Sequence, residues 1–260
     1  MVSLPSSEQG MSFLTELQAH FASNASEYDD QTQWRRNPDL LETIKEFAGD
    51  ISKKVVLDVG TGTGIVANHL AVGPSLIVGA DLSHEMLEVA HKKGINVVEC
   101  NVEDLPFGDG TIDLCTIRQI LHYVDDTRVI SEAVRTLKCG GMIIMADSVV
   151  ASTSDVEWWN LLKRTVQPLR RRVYHPGSHV ALLEQHNVTI INQKSQVIRR
   201  FDGWEIFFRQ VPDDINRRSI VAMLVKAASG DGVSSKIELS EEGIGYDQFW
   251  ITTLAARNPD

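Results

Sequence analysis

The feature that most constrains the fold is an alternation, between residues 54 and 150, of short apolar runs with stretches of helical periodicity. The apolar runs predict strands at 55–59, 77–80, 96–100, 114–117 and 142–146, and the intervening stretches predict helices at 65–70, 85–92 and 127–137. Because the runs are apolar on both faces and are spaced by helices, they indicate a parallel sheet covered on both sides. Right-handed crossovers then give a doubly wound α/β sheet, with a binding crevice at the carboxyl ends of its strands.

The chain divides by pattern into three predicted parts. Residues 1–50 carry two apolar helical rows and predict a helical cover, 51–150 form the sheet core, and 151–260 complete the sheet. In the last part we predict helices at 178–186, 204–210 and 214–228, and strands at 188–201 and 249–254. The helices at 204–210 and 214–228 predict a lid inserted over an apolar ligand, although stripes of this kind are more often plain core.

The charge balance limits the partners. With 25 Lys and Arg against 35 Asp and Glu, the formal net charge is -10, which argues against binding nucleic acid or an anionic membrane surface. The three cysteines form no CxxC pair and indicate small buried side chains in a reducing compartment. The first residues lack the basic and apolar stretches of a secretory signal. We therefore expect a cytoplasmic protein without membrane contact, and the sequence leaves monomer and homodimer open.

The most informative segment is the turn after the first predicted strand, which carries Gly60, Gly62 and Gly64. Closely spaced glycines between a strand and a helix let the backbone pass against a ligand. The spacing is G-x-G-x-G, whereas a dinucleotide fingerprint requires G-x-G-x-x-G. Asp58 adds a negative charge beside this turn, which suits a cationic or neutral ligand better than a diphosphate.

An acid ends the second predicted strand. The carboxylate of Asp81 at such a position can accept both hydroxyls of a ribose. If it does, an adenine edge lies near the end of the third strand, where Asn101, Val102 and Glu103 follow. Asn101 or Glu103 can accept from an exocyclic amine, and the Val102 amide can face a ring nitrogen. The alternative for the glycines and Asp81 is a tight strand-to-helix turn with a capping acid.

With these motifs in order, the chain resembles the class I S-adenosylmethionine-dependent methyltransferases, in particular the ubiquinone and menaquinone biosynthesis branch. The resemblance is carried by residues 57–64, 81–83, 103–107, 121–125 and 137–141. It implies a Rossmann-like sheet of seven strands with an antiparallel last strand. It also implies S-adenosylmethionine as cofactor, S-adenosylhomocysteine as product and a small molecule as methyl acceptor, in quinone or secondary-metabolite biosynthesis.

The resemblance also assigns cofactor contacts to numbered positions. It places Gly60, Gly62 and Gly64 under the methionine part, Asp81 on the ribose, Leu82 against the adenine face, and Asn101, Val102 and Glu103 around the adenine edge. Position 101 is Asn where many members of the family have Asp. In the helical cover, Tyr28 and Arg35 lie where an arginine can pair with the methionine carboxylate, with solvated arginines as the alternative. Arg118 ends the fourth strand and faces either cofactor or acceptor, with a surface ion pair as the alternative.

Methyl transfer from a sulfonium needs a held acceptor more than a fixed catalytic constellation. The best candidate for a general base is His122, just past the fourth strand, because an imidazole can take a hydroxyl proton near neutral pH. A hydrogen-bonded histidine packed under the loop is the alternative. No cluster of ligand-type residues predicts a metal site.

The acceptor side is predicted from an unusual basic stretch at 170–179 and an aromatic group after it. The predicted acceptor-binding residues are Arg170, Arg171, Tyr174, His175, His179 and Trp204. Arginines there suit an anionic or aromatic acceptor such as a carboxylate or phenolate. We expect oxygen as the methylated atom, ahead of nitrogen and then carbon. A nucleotide-dependent oxidoreductase and a non-catalytic cofactor-binding regulator remain the alternative functions.

Overall fold

A computed structural model of the chain describes residues 7–30, 33–71, 76–209, 211, 213–230 and 233–259. Residues 1–6, 31 and 32 of the predicted cover and the last residue of the predicted helix at 204–210 lie outside this part. The helices are α1 Ser7–Ala22, α2 Pro38–Ala48, α3 Ile65–Leu70, α4 His84–Lys92, α5 Asp126–Thr136, α6 Val156–Val166, α7 Ser178–Leu183, α8 Trp204–Phe207 and α9 Asp214–Ala228. Short 3-10 helices cover Gln33–Arg36 and Thr153–Asp155.

One mixed sheet runs through the described residues. Its strands are β1 Val55–Val59, β2 Leu76–Asp81, β3 Asn96–Glu99, β4 Ile112–Arg118, β5 Leu137–Val149, β6 Val188–Gly203, β7 Ile237–Leu239 and β8 Gly243–Arg257. The order is β3-β2-β1-β4-β5-β8-β6, and β7 pairs with β8 beside this path. Strands β1 to β5 pair in parallel, and β8 runs antiparallel to β5, β6 and β7. The predicted doubly wound sheet with an antiparallel closing strand is confirmed.

The two faces of the sheet bury separate cores, as alternation along a strand requires. On β1, Leu57 and Val59 belong to the core that packs under α5 and α7. Val56, between them, belongs to the core under α2, α3 and α4. Both predicted layers of helices are therefore present, and the carboxyl ends of the parallel strands remain open between them.

The last third of the chain differs in detail from the expectation. Strand β7 was not predicted, and β8 begins at Gly243 rather than near Phe249. β7 has only three residues. Two of the first three residues of β8, Gly243 and Gly245, are glycines, which weakens the strand pattern of that segment. Helices α8 and α9 form the predicted insertion and pack on α6 in a third apolar core.

Candidate functional site

The carboxyl ends of β1, β2 and β4 surround a cavity of about 680 Å³, here called the strand-end cavity. Predicted cofactor residues in its wall are Tyr28, Gly60, Gly62, Asp81, Leu82, Asn101, Val102 and Arg118. Helix α1 lies across it with Leu14, Leu17, Gln18 and Phe21. The Gln18 side chain donates to the Leu82 carbonyl at 3.2 Å. The first helix therefore forms a wall over the crevice that the sheet topology creates.

The glycine turn needs glycine for steric reasons at its first position. Gly60 has a φ of 69°, and a Cβ there would lie 2.1 Å from Cδ1 of Ile120. At Gly62 a Cβ would meet no heavy atom within 4 Å, so this part of the turn faces open space. Gly64, with a φ of 77°, begins α3. The turn thus exposes its backbone to the space in front of it.

Asp58 holds the turn from beneath. Its buried carboxylate accepts hydrogen bonds from the hydroxyls of Thr61, at 2.7 Å, and Thr116, at 2.6 Å. Burial raises the pKa of Asp58. Because both of its oxygens are engaged by these hydroxyls, the carboxylate ties the glycine turn to β4.

Asp81 lies in the wall of the strand-end cavity. One oxygen accepts the Gly62 amide at 2.8 Å and the other accepts the Ser83 amide at 3.0 Å. Burial raises the pKa of this carboxyl group. Each carboxylate oxygen has a second lone pair, so the group can still accept hydroxyl hydrogens from the cavity.

The three predicted residues in the loop after β3 do not all line the strand-end cavity. Val102 is buried and lines the cavity, and Asn101 lines it while its side-chain oxygen accepts the Glu103 amide at 3.0 Å. Glu103 does not line it. Its carboxylate instead accepts the Asp125 amide at 2.9 Å, so the predicted adenine contact of Glu103 is not found in this geometry.

Two arginines border a smaller space in front of the glycine turn, of about 420 Å³, here called the turn cavity. The Arg35 guanidinium stacks on the Tyr28 ring, 3.6 Å from its centroid. Arg118 donates to the Trp34 carbonyl at 3.2 Å, and its buried Nε has no hydrogen-bond partner among the described residues. Burial lowers the pKa of Arg118 to about 10. Both guanidinium groups thus line a space where a carboxylate would be favoured.

A third and larger space of about 1050 Å³, partly open to solvent, is here called the cationic cavity. Lys163, Arg170 and Arg200 line it, together with Arg35 from the cover. It shares Phe21, Tyr28, Gln119 and Tyr123 with the strand-end cavity. Tyr28 and Gln119 are also in the wall of the turn cavity, so all three spaces meet at these two residues.

His122 lies in the wall of the cationic cavity with 3% of its surface exposed. Its ring packs 4.2 Å from that of Tyr123, between centroids. Burial, reinforced by Arg170 and Lys163, lowers the pKa of His122 well below its ordinary value. The imidazole is therefore neutral at physiological pH.

Of the predicted acceptor residues, Arg170 lines the cationic cavity and the others do not. The Arg171 guanidinium packs over Phe13, 4.5 Å from the ring centroid. Tyr174 donates to Asp126 at 2.7 Å. His175 accepts the Gly177 amide at 3.2 Å in the turn before α7.

The other two are engaged elsewhere as well. Buried His179 contacts Asp147 at 3.2 Å and Thr253 at 3.1 Å. The Trp204 indole donates to the Ser240 carbonyl at 3.0 Å. The other predicted residues of the basic stretch therefore contact neighbouring protein groups and do not line the cationic cavity.

Gln119 was not predicted from the sequence. It has a φ of 57°, in the left-handed region that non-glycine residues rarely adopt. Its backbone N–H donates to the Ala146 carbonyl at 3.2 Å and to the Asp147 carboxylate at 3.1 Å. The ring of His179 contacts the same carboxylate. The side-chain Nε2 of Gln119 is buried without a partner among the described residues. Such an outlier at a cavity junction points to a functional position.

Comparison with known proteins agrees with this geometry. A family model described as a methyltransferase domain matches residues 57–145. The chain is 30% identical over 196 residues to the uncharacterized methyltransferase YcgJ of Bacillus subtilis, a match that covers 71% of this chain and 76% of YcgJ. The chain belongs to the S-adenosylmethionine-dependent methyltransferases. S-adenosylmethionine is the cofactor of that family, and membership decides against the nucleotide-dependent oxidoreductase.

Further similarities of this methyltransferase are more limited in extent or identity. It is 38% identical over 123 residues to the ubiquinone/menaquinone biosynthesis C-methyltransferase UbiE of Desulfotalea psychrophila, covering 45% of this chain and 48% of UbiE. The first curated relatives are matched over 59%, 48% and 45% of their own lengths, about half on average. The solved structure of BH2331 from Bacillus halodurans has a TM-score of 0.73 at 20% identity, covering 85% of this chain and 99% of that one. At this identity the structural likeness shows the fold.

The residues of this methyltransferase fit the cofactor chemically. The strand-end cavity offers an acid, Asp81, beside the apolar side chains of Leu82 and Val102. The turn cavity offers the open backbone at Gly62 and the unpartnered Nε of Arg118. A ribose, an adenine ring and an amino-acid carboxylate need these groups.

The described residues contain neither a metal-type cluster nor a helix that could span a membrane. Within them, no three His, Cys, Asp or Glu side chains cluster closely enough to hold a metal ion. No described helix has the length and apolar character needed to cross a bilayer.

Proposed function

We propose that this methyltransferase transfers the methyl group of S-adenosylmethionine to an oxygen atom of a small anionic acceptor. The observation that carries the proposal is the junction of the three cavities at Tyr28 and Gln119. The two smaller spaces have the groups that suit the cofactor, and the larger one is lined by cations. Donor and acceptor would thus meet beside these two residues, as an in-line transfer requires.

When bound, the cofactor supplies a methyl group on a positively charged sulfur. In the proposal, Arg118 and Arg35 hold its carboxylate, and the glycine turn supports its amino-acid part. Asp81 accepts hydrogen bonds from the ribose, while Leu82 and Val102 pack against the base. Helix α1 would cover these contacts and exclude water, so that a bound donor and acceptor would be held together as in-line transfer requires.

His122 is proposed as the proton acceptor. Its neutral imidazole lines the cationic cavity, where it can take the proton of an acceptor hydroxyl as that oxygen attacks. Relatives carry both C-methyltransferase and O-methyltransferase names, so the choice of oxygen rests on this base rather than on similarity. The surrounding cations favour an acceptor with negative charge.

The test is transfer of a carbon-13 methyl group from labelled S-adenosylmethionine to a panel of hydroxylated carboxylates and phenols, each paired with its neutral amide or ether. We expect turnover of anionic members, with the label at the chemical shift of a methoxy group. A label on nitrogen or carbon would contradict the oxygen assignment. Tight cofactor binding without turnover of any acceptor would support the non-catalytic regulator instead.

A further inference from the structure

Two cations in the wall of the cationic cavity have no carboxylate partner. Lys163, from α6, bonds to the Tyr246 hydroxyl at 3.3 Å, and Arg170 donates from its Nε to the Arg172 carbonyl at 3.1 Å. Neither forms an ion pair with any carboxylate in the described ranges. Arg170 is only 8% exposed. A charged group held in such surroundings is costly unless something neutralises it.

The carboxylate in the lining is already engaged. Asp202 is paired with Arg200 at 2.9 Å and accepts the Tyr246 hydroxyl at 3.2 Å. Its ion pair is therefore with Arg200, and among the described residues Lys163 and Arg170 have no ion pair of their own. In a chain with a formal net charge of -10, this concentration of positive charge is local to the cavity.

The positions of both cations are fixed by packing. Lys163 lies 5.2 Å from the Trp159 ring centroid and 5.1 Å from that of Tyr246. The segment that carries Arg170 is fastened to α5, because Arg172 and Tyr174 both bond to Asp126 at 2.7 Å. A ligand would meet these two groups already in place, which lowers the entropy cost of binding.

Lys163 and Arg170 also line a smaller chamber of about 360 Å³ beside the cationic cavity. They therefore stand where the two spaces adjoin. A group bound between them could contact both cations while the rest of the molecule extended into the larger space toward Gln119.

We propose that Lys163 and Arg170 form a subsite for a dianionic oxyanion group of the acceptor, of the phosphate monoester or dicarboxylate type. This inference rests on the proposed function, since it specifies the acceptor that the methyltransferase takes. Two unmatched cations are neutralised by two negative charges, whereas a monoanion leaves one of them unpaired. The dianionic group is distinct from the oxygen that receives the methyl group.

The protonation of Lys163 is consistent with this role. Burial, with Arg200 and Arg170 nearby, lowers the pKa of Lys163 to about 7, and the Asp202 carboxylate offsets only part of this effect. A dianion in the subsite reverses the effect of these neighbours and favours the ammonium form. Binding above neutral pH is then accompanied by uptake of a proton.

The experiment is titration calorimetry of the protein loaded with S-adenosylhomocysteine, at constant ionic strength and at a pH above neutral, where inorganic phosphate is largely the dianion. The probes are inorganic phosphate and malonate as dianions, with acetate as the monoanion. We expect at least one dianion to bind at least tenfold more tightly than acetate. Preference for phosphate over malonate, or the reverse, identifies which of the two types the subsite takes.

Matched variants locate the binding. Lys163→Met and Arg170→Gln should each weaken dianion binding at least tenfold, while their neighbours Arg164→Gln and Arg171→Gln leave it unchanged. The binding heat at pH above neutral should also depend on the buffer, as proton uptake requires, and Lys163→Met should abolish that dependence. Equal binding of acetate, or unchanged dianion binding in both subsite variants, overturns the inference.

Failure of the proposed function would give results different from those of a failure of the subsite. In that case the protein would not bind S-adenosylhomocysteine, or would transfer no methyl group to any acceptor. Dianion binding to the two cations could still be measured in the protein alone. Conversely, methyl transfer to monoanionic acceptors without dianion binding overturns only the subsite.

Discussion

Asp29 in the N-terminal cover accepts a hydrogen bond from the ammonium group of Lys93 at 2.6 Å, just past the end of α4. The same carboxylate accepts the hydroxyl of Thr63 in the glycine turn, and Lys93 also donates to the Thr63 carbonyl at 2.8 Å. Burial raises the pKa of Asp29, but the bonds from Lys93, Thr63 and Arg36 outweigh it and hold that pKa below its ordinary value. The cover is thereby fastened to the turn that we propose supports the cofactor.

Replacing the Asp29 carboxylate should loosen this connection. Asp29→Asn removes the charge that attracts Lys93, and charge-assisted hydrogen bonds contribute about 1.5–3 kcal/mol each. We expect the affinity for S-adenosylhomocysteine to fall roughly fivefold by calorimetry, with faster amide hydrogen exchange over residues 7–30. Asp30→Asn is the matched control, because its side chain is 79% exposed. Equal effects of the two variants would contradict the assignment.

Asp81 should matter more for the cofactor than for the fold. Asp81→Ala removes the proposed ribose acceptor, and we expect cofactor affinity to fall at least tenfold, about 1.4 kcal/mol. Asp81→Asn keeps one acceptor oxygen and should lose less. Calorimetry with S-adenosylhomocysteine measures both, and an unchanged affinity in the alanine variant would refute the role.

Gln119 allows a variant that should separate fold from function. Gln119→Gly relieves the left-handed backbone, a strain of about 1–3 kcal/mol, and deletes the side-chain amide. Gln119→Asn keeps an amide that tolerates this conformation but is one carbon shorter. We expect both to lower kcat by roughly tenfold or more, with the Tm of the glycine variant unchanged or raised. A kcat equal to wild type in both would show that the amide does not position the acceptor.

His122 should give a distinctive pH profile. Its pKa lies well below the ordinary value because of burial, Arg170 and Lys163, so the base is already neutral at pH 7. Activity due to His122 is therefore lost only as pH falls below the ordinary titration range of histidine, and no limb from it should appear between pH 6 and 8, around the ordinary value of about 6.5. His122→Ala should lower kcat about 10²-fold or more with little change in cofactor affinity. Undiminished turnover would exclude it as the base.

Lys163 should lower the stability of the folded protein, although we propose that it binds the acceptor. Its pKa is about 7 in the folded protein and about 10.4 when unfolded. Between these values the unfolded chain binds more protons, so the free energy of unfolding rises with pH across that window. We expect Lys163→Met to raise the Tm, by more at about pH 6 than at about pH 9. Calorimetric melting measures this, with Arg164→Met as the exposed control, and a gain independent of pH would contradict the burial of the charge.

Much of the sheet could be predicted because its signals are local. Strands β1 to β4 and the middle of β5, at 142–146, are short apolar runs, and the turn at Gly60 follows directly from its glycines. β7 escaped prediction because three residues, one of them charged, carry no periodicity. The start of β8 escaped because its pairing with β6 and β7, rather than its own composition, makes it a strand.

The acceptor side could not be predicted in the same way. Arg170 and Arg171 are adjacent in sequence, and only packing against Phe13 directs Arg171 elsewhere. Lys163 is one of two basic residues near the end of an amphipathic helix, and Arg200 lies within a strand. The sequence around neither residue therefore indicates a binding role. The left-handed backbone at Gln119 depends on Asp147, which is far along the chain. These features are consequences of tertiary contacts.

Phe21, on α1, belongs to the walls of both the strand-end cavity and the cationic cavity. Any movement of α1 that lets the nucleoside in or out would therefore also remove part of the surface that the second reactant would contact. We expect this to impose a compulsory kinetic order, in which the methyl donor enters first and its demethylated form departs last. Product inhibition by S-adenosylhomocysteine would then be competitive toward the donor and noncompetitive toward the acceptor.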